Sequence, residues 1–124
     1  MPSNNKKEQT LKIVNLHSKF WREGDLKGVL SLYHEGIQYF DFFNNTRVKK
    51  EELADYISFS LPVKNQVTIS HTDTIRVDGD TAFIQYTYSI QRANGNTSHY
   101  RSCEAITVLD EKIIRINEYS SLVH

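Results

Sequence analysis

The sequence predicts an α+β domain, helices first and an antiparallel sheet after them. Three observations carry this reading. Apolar residues recur at helical spacing as far as Ser60. Beyond Pro62 they alternate, as in half-buried strands. Two dipeptides favoured in two-residue hairpin turns, Asp78-Gly79 and Asn94-Gly95, punctuate that second half.

Residues 1–10 are polar and are expected to be a flexible lead-in to one domain spanning 11–124. From Leu11 to Glu23, Ile13, Leu16, Phe20 and Trp21 mark a helix, with His17 on the same stripe one turn before Trp21. Gly24 ends it and Asp25 caps the next. Leu26, Val29, Leu30 and Tyr33 predict a short second helix stopped by Gly36. Ile37 to Phe43 reads as an aromatic strand with Asp41 at its centre. A third helix is expected over about Lys49 to Ser60, with Leu53, Tyr56 and Ile57 on one side and Pro62 as its stop. Val67–Val77, Asp80–Gln91, Asn96–Leu109 and Lys112–Ser121 then form a four-stranded meander, the last pair joined at Asp110-Glu111.

Length and charge bound the function. A chain of 124 residues is one domain. Fifteen basic residues balance fifteen acidic ones, so no nucleic-acid partner is expected. The single Cys103 excludes an internal disulfide and multi-cysteine zinc motifs, and the histidines are too scattered for a metal site. No apolar run approaches the roughly 20 residues that span a bilayer, and the N-terminus lacks a signal-peptide stretch. A cytoplasmic protein without membrane contact is expected. Seven tyrosines, six phenylalanines and one tryptophan point to an amphipathic cavity or an adhesive surface.

Two-residue turns fix register, so the faces of the sheet can be computed. Ile69 falls opposite Tyr88, His71 opposite Tyr86, Tyr86 opposite Cys103, Tyr88 opposite Arg101 and Cys103 opposite Glu118. The face holding these residues, together with Ile84, Ala105, Ile114 and Ile116, is the more apolar and should meet the helices. Arg101, Glu118 and His71 would be polar members of it, so they pair or line a wet cavity. Arg101 and Glu118 form an ion pair, or else Arg101 grips a ligand oxygen while Glu118 orients it. A β-bulge would invert the facing beyond it. Asp41, between Phe40 and Phe42, is a buried base or a surface partner of Lys49 or Lys50.

Several phrases resemble the nuclear transport factor 2-like superfamily, which includes the SnoaL-like cyclases and the ketosteroid isomerases. Phe20-Trp21-Arg22-Glu23-Gly24-Asp25-Leu26 with Leu32-Tyr33-His34 is similar to its opening. Val77-Asp78-Gly79-Asp80-Thr81-Ala82 is similar to its central hairpin, and Asp110 through Tyr119 to its ending. The resemblance implies a cone, or roll: a curved antiparallel sheet wrapped around three N-terminal helices and a deep pocket. It places Asp41 at the proton-shuttling aspartate of the isomerases, His17 at an oxyanion-hole tyrosine and Ala105 at the second donor.

The expected function is binding of a small, largely apolar, oxygenated molecule, with cofactor-free isomerase, cyclase or dehydratase chemistry. Asp41 would be the base and His17 the donor to the oxyanion. Trp21, Tyr39, Tyr56, His71, Tyr86, Tyr88, Arg101 and Glu118 would line or bind. A non-catalytic ligand-binding or homodimeric module is the alternative, paired through Phe83, Ile106, Val108 and Ile113 on the other face. An epoxide hydrolase built on Asp41, Glu118 and Arg101 is a further one.

Overall fold

A computed structural model describes residues 2–60, 67–72, 75–91 and 94–123. Helix α1 spans Pro2–Arg22 and helix α2 spans Leu26–Ser31. The junction forms as its sequence requires. Gly24 takes φ 71°. Its N–H donates to the Trp21 carbonyl, and that of Asp25 to the Phe20 carbonyl, at 3.1 and 2.9 Å. This is a Schellman closure. The Asp25 carboxylate then accepts from the Gly28 N–H at 2.9 Å and caps α2.

α1 begins well before the apolar period does. Buried Thr10 explains part of this: its hydroxyl lies 2.9 Å from the Lys6 carbonyl and 3.0 Å from the Gly79 carbonyl, tying the helix to a hairpin. α2 ends before Tyr33, which the apolar spacing assigns to the helix. The Leu32 carbonyl accepts from the Ile113 N–H at 2.7 Å, so the chain is drawn into the sheet there, and Gly36 lies within a strand.

Strand β1 (Tyr33–Asp41) turns into the short β2 (Thr46–Val48), a hairpin the sequence reading missed. A 3₁₀ turn at Lys50–Glu52 leads into α3 (Leu53–Ser60). Pro62 lies outside the described residues. The expected Val67–Val77 strand is two pieces, β3 (Val67–Thr72) and β4 (Arg76–Asp78), followed by β5 (Thr81–Gln91), β6 (Thr97–Leu109) and β7 (Lys112–Val123). The sheet runs β2-β1-β7-β6-β5-β3, with β4 also on β5. The meander is antiparallel as expected, but β1 joins it parallel to β7, so the sheet is mixed. Val14, Val29, Ile57, Ile106, Ile113 and Ile116 are fully buried between helices and sheet.

Register departs from the computed one in instructive places. Ile69 does face Tyr88, but a bulge follows and His71 meets Thr87. The β5–β6 connection closes with Gln91 opposite Thr97, a five-residue loop where a two-residue turn was expected. The odd difference inverts β6: Glu104 faces Ile84, Ser102 faces Tyr86 and Tyr100 faces Tyr88. Arg101, Cys103 and Ala105 therefore stand on the outer face. The turn at Asp110 and Glu111, with φ 52° and 63°, is the tight one expected and leaves Leu109 opposite Lys112. A bulge at Ile114 then inverts β7 relative to β6, so Glu104 faces Glu118. The two inversions cancel, which is why Glu118 is still on the helix side.

Candidate functional site

Asp41 closes β1 and is 2% exposed. Its Oδ1 accepts from the backbone N–H of Phe43 at 2.9 Å and of Asn44 at 3.1 Å. Its Oδ2 accepts from the Asn44 amide at 2.7 Å and from the Tyr56 hydroxyl at 2.5 Å. The first pair is an Asx turn that shapes the β1–β2 hairpin. The parallel pairing of β1 and β7 sets Asp41 beside Glu118. Tyr39 donates to Glu118 Oε2 at 3.0 Å, and Tyr56 lies 3.4 Å from Oε1.

Asp41, Glu118 and Glu104 thus share one apolar face. Burial, followed by the charges of Glu104 and Asp41, pushes Glu118 up to about 8, against the pull of the two phenols. At neutral pH Glu118 carries its proton. The Tyr56 hydroxyl lies between the two carboxyl groups, 2.5 Å from Asp41 Oδ2 and 3.4 Å from Glu118 Oε1. Burial also raises Glu104, with Tyr86 working in the other direction.

A cavity of about 140 Å³ opens between α1 and the sheet. Trp21, Ile69, Ile75 and Ile84 line its walls. His17, Tyr86 and Glu104 bring polar atoms to it, and Asn15, Ser18 and Arg22 belong to its lining from α1. His17 is 4% exposed, and its Nε2 lies 3.1 Å from the Tyr33 hydroxyl. Burial lowers its pKa to about 4, so at neutral pH it is an uncharged imidazole.

The expected site residues therefore divide. His17, Trp21 and Tyr86 meet at the cavity. Asp41, Tyr39, Tyr56 and Glu118 form the hydrogen-bonded network behind it. Tyr88 stacks on Tyr100, ring centroids 5.0 Å apart. The His71 side chain lies outside the described residues. Arg101 is corrected. It is exposed on the outer face, opposite Thr87 and Ser121, so neither the ion pair with Glu118 nor a role on the helix side stands. The odd loop before β6 is the cause. The same parity corrects the expected outer contact: Ile106, Val108 and Ile113 are buried, and only Phe83 of that set is exposed.

Sequence reasoning missed Glu104, Tyr33 and Asn44. Glu104 was assigned to the outer face by the slipped register, although it is the immediate neighbour of Ala105. Tyr33, expected on the second helix, opens β1, and its hydroxyl meets His17. Asn44 had a signal: an Asp followed three residues later by Asn, before a residue at positive φ, is an Asx-turn pattern. Among the described residues no group of three or more His, Cys, Asp or Glu could hold a metal ion. Nor is any helix among them long and apolar enough to cross a membrane.

Solved structures share this arrangement. A nuclear transport factor 2-like protein from Burkholderia thailandensis superposes with a TM-score of 0.77 at 15% identity, over 90% of this chain and 90% of its own. TerC, co-crystallised with polyporic acid, gives 0.75 at 13% identity, over 91% of this chain and 92% of its own. A proposed ketosteroid isomerase from Kribbella flavida gives 0.77 at 14% identity, over 96% of this chain and 82% of its own. At such identities the likeness is one of fold. No curated protein matches the chain. The family model of the SnoaL-like domain matches residues 14–116, most of the chain, and on that match the protein belongs to the SnoaL-like domain family, within the nuclear transport factor 2-like superfamily.

Proposed function

We propose that the chain binds a small, largely apolar, oxygenated molecule in the cavity beside α1, and that Glu104 exchanges protons with it. One observation carries this reading: Glu104 and uncharged His17 share a small cavity whose other walls are mostly apolar. Burial makes Glu104 a stronger base than an ordinary carboxylate. The reaction class is proton transfer next to a carbonyl, as in isomerisation, cyclisation or dehydration. His17, held by Tyr33, is placed to hydrogen-bond the oxygen that gains charge.

Asp41 was the expected base. With four donors on its two oxygens it suits a different task, orienting Tyr56 toward Glu118. Volume limits the ligand. An engineered protein cavity of about 150 Å³ takes benzene, so about 140 Å³ suits one ring.

The test uses cyclohexanone in heavy water, followed by NMR. Wild type should speed exchange of the protons next to the carbonyl above the buffer rate, and Glu104→Gln should return it to that rate. Equal exchange by wild type and Glu104→Gln would remove Glu104 from this role.

A second reading concerns assembly. Phe42, Phe83 and Tyr119 are 44%, 44% and 45% exposed. Phe42 and Tyr119 stack at 4.3 Å. These side chains belong to the outer face, which suits contact with a second copy.

A further inference from the structure

The cavity lining joins unlike groups from two elements. Glu104 and Tyr86 come from the sheet. α1 supplies His17 together with Asn15, Ser18 and the exposed Arg22, the last three at helical spacing of three and four residues. Trp21, Ile75 and Ile84 add apolar surface. His17 is uncharged at neutral pH, and among the described residues Arg22 is the one Lys or Arg of this lining. Its Nε donates to the Ser18 carbonyl at 3.3 Å, which pins the guanidinium along the helix. No carboxylate among the described residues pairs with it within 4.0 Å.

We infer that the ligand is a one-ring carboxylate that carries a second oxygen on the far side of the ring. The carboxylate meets Arg22, the ring packs against Trp21, Ile75 and Ile84, and the second oxygen reaches Glu104 and His17. This rests on the cavity being the binding site, as proposed above, and adds the substrate class. The physical reasons are two. A guanidinium matches a carboxylate with two parallel hydrogen bonds. The C-terminal end of α1 is the negative end of the helix dipole, which disfavours an anion; Arg22, among the described lining residues, offsets it. The opposite orientation would bring an anion against Glu104, a buried carboxyl that already resists ionisation.

Trp21 is the single tryptophan and lies in the lining, so its fluorescence reports occupancy. The probes are phenol and 4-hydroxybenzoate, which share the ring and the inner hydroxyl and differ by the carboxylate. Wild type should bind 4-hydroxybenzoate about tenfold more tightly than phenol, the gain of a hydrogen-bonded charge pair. Arg22→Gln should bring the ratio of the two affinities to one or below, and Arg22→Lys should restore part of it. A ratio near one in wild type, or an unchanged ratio in Arg22→Gln, overturns the carboxylate inference while leaving the cavity as a binding site. Saturable binding of neither probe overturns both.

Discussion

Four donors converge on the two oxygens of Asp41, while Glu118, one strand away, keeps its proton. The β1–β2 turn supplies two of the Asp41 donors as backbone N–H groups, whereas Glu118 is raised by burial and then by the charges of Glu104 and Asp41. The difference has a consequence for stability. Glu118 is raised from 4.5 to about 8 on folding, so between those values the folded chain binds more protons than the unfolded one and stability falls as pH rises. His17 is lowered from 6.5 to about 4, so between those values the folded chain binds fewer protons and stability rises with pH. The two oppose each other up to about 6.5; above it the raised carboxyl groups remain, Glu118 with Glu104 acting in the same direction. Urea unfolding across pH 4 to 9 should show stability declining from about 6.5 to 8. Glu118→Gln should flatten that decline, and a decline of the same steepness in the variant would separate it from Glu118. Asp41, His17, Tyr39 and Tyr56 were legible as interior residues from periodicity and resemblance. Which carboxyl touches the cavity was not, because that depends on β6 parity, and parity is set by a loop length that the Asn94-Gly95 dipeptide did not disclose.

Helix α2 shows how local preference and packing diverge. Gly28 lies inside it, where propensity alone would favour alanine by about 1 kcal/mol. A Cβ there would sit 2.7 Å from Asp25 Oδ2 and 2.7 Å from Phe20 Cγ. Both neighbours are committed, Asp25 to the helix cap and the Phe20 ring to packing against the core. Gly28→Ala should therefore destabilise the protein by about 1–3 kcal/mol, the range of overpacking; a gain in denaturation midpoint would mean that Phe20 swings away freely. Helix ends were legible here because Gly24 and Asp25 act through the backbone of adjacent residues. The end of α2 was not, because Ile113, far along the chain, captures the Leu32 carbonyl. β3 and β4 both pair with β5, so the two pieces extend along the same neighbour.

Across the whole molecule, charges that cancel in the total are unevenly placed. Arg47, Arg101 and Arg115 stand on the outer face, and Gln38, Phe40, Asn117, Tyr119 and Cys103 between them are uncharged in their usual states. The proposed two-fold contact would set this face against itself, like charge toward like charge. Salt screens such repulsion and strengthens apolar association. Sedimentation at tens of micromolar should show a larger dimer fraction at 500 mM than at 50 mM salt; the reverse order would locate the contact elsewhere. Fold class was the most legible property, because it follows from the helix-to-strand change in period and needs no register.

The bulge at Ile114 acts on β7 as a frameshift acts on a coding strand. Every residue beyond it is read onto the opposite side of the sheet, so Ile116 and Glu118 point inward and Asn117 outward. Deleting Ile114 would present Asn117 to the core and expel Glu118. Adding one residue at a neighbouring position would restore the frame. Two changes that each ruin the fold should therefore rescue one another, as paired frameshifts do in a gene, and insertions between the Asp110 turn and Glu118 should survive only in even numbers.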